Sequence, residues 1–259
     1  MRAIIIMFAT YSRIPMPRVE WEEKSRRRAI CAFGLVGVVI GVLLLGLLRA
    51  GGALGIPSAA LSCLVIAVPV LVTGGIHLDG FIDTSDARAS YADKEEKLRI
   101  LKDPHVGAFG IIRLLLYLLL VFAGIETLIT RQMSGRLWLA AVLIPVLSRI
   151  CSGLLAQLLP KARKSGMLTD MIGEKCQKDN VIILTAELIL TGVLLGVLLL
   201  PGAPAAAVLL AAAQACLAWH YRRMALREFG GVTGDLAGWY LCMSELAGIW
   251  AYVIAGWIV

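Results

Sequence analysis

Charged residues are scarce in this chain, 17% of 259, against about a quarter in an ordinary soluble domain. Aromatic residues make up only 7%, and histidine occurs three times. The six cysteines (Cys31, Cys63, Cys151, Cys176, Cys216 and Cys242) show no paired spacing, and five lie in apolar stretches. They read as small buried hydrophobes, not as a disulfide framework or a zinc site. Disorder, a collagen-like repeat and a disulfide-rich secreted scaffold are excluded by the same composition. What the chain has in excess is apolar surface: 59% of its residues, for a mean hydropathy of +0.83. A water-soluble fold of this length has too little interior to hide it. The composition describes a polytopic membrane protein.

Lys and Arg outnumber Asp and Glu by 25 to 18, a formal +7. In a soluble protein that excess points to nucleic acid; in a membrane protein it points first to topology, and no nucleic-acid partner is expected. A bilayer core needs about 20 mostly apolar residues per helix. Such stretches fall at 29–48, 53–76, 108–130, 137–159, 180–200, 203–219 and 236–258. The sixth is short and Ala-rich, set off from the fifth by Pro201, Gly202 and Pro204, a tight turn between antiparallel helices. The run Ala3–Ala9 is too short to span. Tyr11-Ser12-Arg13-Ile14-Pro15 offers no small-residue cleavage site, so the run is expected in the interface or re-entering among the helices.

Seven spans sort the charges. The segments before 29, 77–107, 160–179 and 220–235 carry seven, five, five and three basic residues. The alternate connections hold only Arg49, Arg131 and Arg136. Twenty against three places the N-terminus and every basic segment in the cytoplasm and the C-terminus outside. No internal repeat is visible, which gives an inverted-repeat transporter no support. The expectation is an all-α bundle of about seven transmembrane helices, one domain over 1–259, with a cytoplasmic acidic loop at 74–110.

Seven of the 18 acidic residues lie between Asp79 and Asp103. Asp79, Asp83 and Asp86 are spaced i, i+4, i+7, which on a helix gathers three carboxylates on one face. Like charges so placed repel, by a few tenths of a kcal/mol per pair, and a divalent cation removes the conflict. Hard oxygen donors without cysteine favour Mg²⁺ or Mn²⁺ over zinc. A solvated acidic face is the plainer alternative. Against it, the triad sits at the end of a span and is interleaved with Leu78, Phe81 and Ile82, which points to partial burial. His77 is equally readable as a packing residue, a ligand or a base.

Two further clusters follow. Lys102-Asp103-Pro104-His105-Val106-Gly107-Ala108-Phe109-Gly110 precedes the third span; Gly107 and Gly110 open a helix start to an anion, and Lys102 adds a point charge for phosphate. Gly230-Gly231-Val232-Thr233-Gly234-Asp235 precedes the last span, which carries Glu245 near its middle. An ionised group there costs roughly 2.5–3.5 kcal/mol on insertion scales and needs a cavity or a partner. Arg149 and Arg113 are the candidate partners. Glu126 and Glu187 read as internal structural pairs; Arg149, Asp235 and Glu245 lean towards function.

At this point the motifs resemble a known family. Gly74-Gly75-Ile76-His77-Leu78-Asp79-Gly80-Phe81-Ile82-Asp83-Thr84-Ser85-Asp86-Ala87 is similar to the signature of the cobalamin synthases, the adenosylcobinamide-GDP ribazoletransferases. Thr10–Pro15, Ile100–Gly110 and Gly230–Asp235 with Glu245 resemble three further elements of that family in order. Ala87 stands where the family usually has Gly, Arg88-Ala89-Ser90 replaces a Gly-rich stretch, and Pro104 replaces a typical Ser. The resemblance implies transfer of α-ribazole or its 5′-phosphate onto adenosylcobinamide-GDP with release of GMP, a Mg²⁺ requirement, and the bacterial or archaeal inner membrane.

On that footing Asp79, Asp83 and Asp86 are expected to hold Mg²⁺, with Asp103 or Asp235 completing the shell. Lys102, Gly107 and Gly110 would contact phosphate, and Arg149, Gly231, Thr233, Gly234 and Glu245 would bind substrate. Asp86, or alternatively His77, would take the hydroxyl proton. Two rivals remain. A CDP-alcohol phosphotransferase would need Asp-Gly-x-x-Ala-Arg, but Asp79-Gly80 runs on to Phe81-Ile82-Asp83-Thr84. A secondary transporter would set its charges at the midplane. The oligomeric state, a homo-oligomer included, is left open.

Overall fold

A computed structural model describes residues 1–131 and 135–258. In chain order the helices are α1 (Arg2–Tyr11), α2 (Glu23–Arg28), a 3₁₀ turn (Ala29–Ala32), α3 (Phe33–Ala53), α4 (Ser58–Thr73), α5 (Ile76–Ala89), α6 (Lys94–Ile100) and α7 (Ala108–Thr130). There follow α8 (Gly135–Ala141), α9 (Ile144–Leu158), α10 (Met167–Met171), α11 (Glu174–Leu199), α12 (Pro204–Met224), a π-helical turn (Ala225–Phe229) and α13 (Gly234–Ile258).

Among the described residues six helical stretches are long and apolar enough to cross a bilayer, and a seventh exists if the bent pair α4–α5 counts as one. The stretches run Glu23–Ala53, Ala108–Thr130, Gly135–Leu158, Cys176–Leu199, Pro204–Phe229 and Gly234–Ile258. From 108 onwards they match the predicted spans to within four residues at each end, except that the sixth, expected to stop at 219, runs on to Phe229. Residues 132–134 of the predicted 131–136 connection lie outside the described residues. The Ala3–Ala9 run becomes α1, ten residues long and packed inward: Ile6 and Met7 are fully buried against the neighbouring helices.

The predicted 53–76 span needs correcting. Its helix is α4, only 16 residues, about 24 Å of rise. It contains Pro69, which donates no backbone hydrogen bond, and Thr73 Oγ1 bonds the Pro69 carbonyl at 2.7 Å. Gly74 and Gly75 then adopt φ of 67° and 80°, the left-handed region that glycine enters without penalty. The chain turns 95° into α5, which lies across the end of the bundle instead of prolonging the span.

α13 is the central helix, in contact with α5, α7, α9 and α12. Its crossing with α5 is very close. A Cβ on Gly80 would stand 2.7 Å from the Asp235 carbonyl, and one on Gly238 would stand 3.0 Å from that of His77. Two facing positions without side chains let the backbones touch.

The four basic-rich segments meet at one end. Arg28 pairs with Asp179 at 3.0 Å, Arg163 Nη2 donates to the Leu98 carbonyl, and Arg88 and Lys97 both pair with Glu228. Lys161 forms a parallel bridge with Val232. The grouping expected from the charge count is therefore a contact network.

Candidate active site

α5 is the axis of the site. Its buried face carries His77, Gly80, Phe81 and Thr84, packed inward; its other face carries Asp79, exposed, with Asp83 and Asp86 half-buried. The i, i+4, i+7 spacing thus lies on a helix. Arg113, from the first turns of α7, donates to the Ser85 carbonyl at 2.8 Å and holds that helix down.

Asp86 is fixed by the start of α7. Its Oδ1 accepts from the Gly110 N–H at 2.9 Å, and a Cβ on Gly107 would collide with its carboxylate. Gly107 and Gly110 therefore make room for a side chain of the same protein. Asp235 enters from the other side, at the first turn of α13. Thr233 Oγ1 lies 3.4 Å from Asp235 Oδ2 and accepts from the Leu236 N–H, capping the helix. The Gly230–Gly231 turn before it is stapled to the segment after α9: Val232 N–H donates to the Pro160 carbonyl and Ala162 N–H to that of Val232. That staple carries Arg163 to within 3.4 Å of Asp235 Oδ2.

Asp83 stands among these charges. Burial, then the carboxylates of Asp79, Asp235 and Asp86, push its carboxyl from an ordinary 3.8 up to about 7, opposed by Arg163. The structure therefore brings together Asp79, Asp83, Asp86 and Asp235. It does not bring in Asp103 or Lys102. Asp103 lies in the exposed turn after α6, where its Oδ1 accepts from the His105 N–H and meets the ring Nδ1 at 2.8 Å, which holds the carboxyl below its usual range. Lys102 is exposed in the same turn.

Among the described residues no three carboxylates, imidazoles or thiols converge tightly enough to hold a metal ion unaided. The donor set nevertheless fits Mg²⁺. That ion keeps several waters and is commonly bound by one or two carboxylates together with substrate phosphates. Three carboxylates around one raised carboxyl are an all-oxygen set with charge to neutralise.

Arg149 and Glu245 occupy a separate place. Glu245 is ten residues along α13 from Asp235, about 15 Å of rise. Arg149, 1% exposed, pairs with Glu245 Oε1 at 2.8 Å and donates to the Pro145 carbonyl, while Ser148 Oγ donates to the same Glu245 oxygen. Arg113, the other proposed partner, is committed to α5. Glu126 accepts from Ser58 and Ser62 and ties α7 to α4, a structural role.

Besides a small pocket between His77, Tyr11 and Phe33, two cavities adjoin α5 among the described residues. A polar one of about 630 Å³ opens beside Asp79, lined by Thr10, Ser12, Arg13, Gly74 and Gly75. Arg13 N–H donates to the Val72 carbonyl, and its side chain lies over Gly74, where a Cβ would strike it. Arg13 and Arg163 are the two site cations absent from the sequence-derived set. Arg13 lay within a recognised motif and could have been taken from it; Arg163 carried no local signal, because only the 160–162 staple places it. The second cavity is apolar and partly open, with His77, Arg149 and Glu245 among its lining residues.

Fold and site define the class: a polytopic α-helical membrane protein with a carboxylate-rich, arginine-flanked site where a broken helix crosses the end of the bundle. The chain belongs to the cobalamin-5-phosphate synthase family, which it matches over residues 3–253. It is similar to the adenosylcobinamide-GDP ribazoletransferase of Lachnoclostridium phytofermentans, 37% identical over all of this chain and 96% of the relative. Proteins of the same name from Clostridium perfringens (32% identical, 96% of each chain) and Pseudomonas savastanoi (36%, covering 91% of this chain and 90% of the relative) are also similar. No solved structure matches.

Proposed function

We propose that the protein transfers the cobinamide-bearing phosphoryl group of adenosylcobinamide-GDP to α-ribazole or its 5′-phosphate, releasing GMP. The observation that carries this reading is the gathering of Asp79, Asp86 and Asp235 around the Asp83 carboxyl, which is raised to about 7, with Arg163 against them. In the reaction a ribose hydroxyl oxygen bonds to the phosphorus nearest the cobinamide, and the bond from that phosphorus to the oxygen bridging to GMP breaks. Asp79, Asp86 and Asp235 would hold Mg²⁺, which when bound neutralises charge on the diphosphate and the departing GMP. Arg163 and Arg13 supply further positive charge on either side of α5.

The hydroxyl proton goes to Asp83. Burial, the largest cause of its raised carboxyl, persists when a cation neutralises its neighbours and keeps Asp83 a better proton acceptor than an ordinary carboxylate, whereas Asp86, the residue favoured from sequence, is engaged by the Gly110 N–H. His77 faces Tyr11 and Phe33 at ring distances of 5.9 and 5.8 Å, on the opposite side of α5 from the acids. The charge rule puts this end of the bundle in the cytoplasm of a cell whose inner membrane houses the protein.

The test is incubation of the purified, vesicle-reconstituted protein with adenosylcobinamide-GDP and α-ribazole, with and without Mg²⁺, following GMP and cobalamin. Mg²⁺-dependent release of both is expected. Absence of GMP at every Mg²⁺ concentration, or full turnover by Asp83→Asn, would refute the assignment.

A further inference from the structure

The apolar cavity has a composition that the reaction at α5 does not explain. Its walls come from α3, α4, α7, α9 and α13, through Leu44, Val65, Tyr117, Val121 and Ile249 among others, and are almost wholly apolar. Its volume, about 120 Å³, is on the order of what a single aromatic ring needs, and because the cavity is partly open a second, fused ring would lie at its mouth. Its lining, however, includes two buried polar side chains, His77 at 7% exposure and Arg149 at 1%. His77 Nε2 and Arg149 Nε have no hydrogen-bond partner. Arg149 Nε carries a hydrogen in every protonation state, and a buried N–H without an acceptor costs about 1–3 kcal/mol, so a site that keeps it is shaped for an occupant that supplies one.

Position narrows the occupant. Thr73 and Leu78 line both this cavity and the polar one that holds Asp79 and Arg13, so the two spaces adjoin at these side chains. A ligand reaching past them would place an apolar part among Val65, Tyr117 and Val121 and a polar part beside Asp79. A lipid acyl chain would fill the apolar part but carries no acceptor along its hydrocarbon length, leaving the Arg149 Nε–H unpaired. A flat, largely apolar heterocycle with one unprotonated ring nitrogen satisfies both requirements. Ribazole's base, a benzimidazole, has that chemistry.

We propose that this cavity seats the base of the nucleoside acceptor, with its free ring nitrogen accepting from the buried Arg149 Nε–H and its ribose directed past Thr73 and Leu78 toward Asp79. The assignment rests on the ribazole transfer proposed above. It makes Val65 and Val121 specificity-determining residues although neither lies near the carboxylates. Because the cavity excludes water around an apolar ring, added or removed methyl-sized volume should change selectivity by roughly 10–200-fold.

The test uses the full chain in phospholipid vesicles and the variants Val121→Phe, which fills the cavity, and Val121→Ala, which enlarges it. For Val121→Phe the KM for α-ribazole should rise by about tenfold or more, while the KM for adenosylcobinamide-GDP stays within about twofold, in protein that elutes and melts as wild type does. Unsubstituted benzimidazole riboside should lose less than the dimethylated one. For Val121→Ala, preference should move toward a bulkier fused-ring riboside.

Equal changes in both KM values, or unchanged base preference in both variants, would overturn the proposal. So would a co-purifying phospholipid that Val121→Phe expels with kinetics intact. Should Val121→Phe fail to fold, the base preference of Val121→Ala decides alone. Wild-type turnover separates the two levels: no GMP release refutes the ribazole reading itself, whereas normal wild-type turnover with insensitive variants refutes only the seat of the base.

Discussion

At the scale of single residues, Asp83 carries the sharpest consequence. A carboxyl raised from 3.8 in the unfolded chain to about 7 in the fold binds its proton more tightly when folded. It stabilises the fold fully below the unfolded value, and that stabilisation is lost as pH climbs through about 7. Metal-free protein in detergent should therefore melt at progressively lower temperature between pH 5 and pH 8. Asp83→Asn should flatten that profile and abolish turnover. Added Mg²⁺ should raise the wild-type melting temperature more at pH 8 than at pH 5.5, and chelation should reverse it. A melting profile unaffected by Asp83→Asn would break the link between carboxylate crowding and the site. The Arg149–Glu245 pair makes a second residue-scale prediction. Removing one partner strands a buried charge, an effect of about 3–5 kcal/mol, whereas replacing both by apolar residues is far milder. Arg149→Met should lower the yield of folded protein, and Arg149→Met with Glu245→Met should recover it, as read by monodisperse elution from detergent.

At the scale of elements, the site depends on how closely α5 lies on α13. The Cβ of Gly80→Ala would meet the Asp235 carbonyl at 2.7 Å, so the helices must part by several tenths of an ångström or more. That moves Asp79 and Asp83 relative to Asp235, and misplacement of about 1 Å in a reacting assembly costs on the order of 100-fold. Gly80→Ala should fold and lose turnover by at least about tenfold, with kcat falling more than either KM. Unchanged kcat would show that the α5–α13 spacing is irrelevant to the chemistry. The bend between α4 and α5 is equally an element property. Gly75 at φ 80° tolerates a side chain poorly, so Gly75→Val should destabilise the bend by about 1–2 kcal/mol, measurable as a lowered melting temperature.

At the scale of the whole molecule, the distribution of charge orients the bundle. Ser90, at the end of α5, and Leu54, in the α3–α4 turn, lie at opposite ends of it. With the native cysteines replaced, Ser90→Cys should react with a membrane-impermeant thiol reagent only in inverted vesicles. Leu54→Cys should react only in intact cells stripped of their wall. The reverse pattern would overturn the charge assignment, and with it the cytoplasmic placement of the acids.

Composition and hydropathy alone determined the helical bundle, most span limits and the helical register of Asp79, Asp83 and Asp86, because apolar run length and i, i+4 spacing are local properties of a chain in a bilayer. The 95° break was half legible: Gly74-Gly75 were visible, but a span read by window averages through Thr73, Gly74 and Gly75 without interruption. Only the tertiary structure decided that Asp235 and Arg163 join the triad while Asp103 and Lys102 stay apart. Those outcomes hang on two contacts between distant segments, the α5–α13 crossing at Gly80 and Gly238 and the Pro160–Ala162 staple onto Val232. Side-chain pattern carries no record of which backbone will lie against which, since that choice is made by the packing of all the helices together.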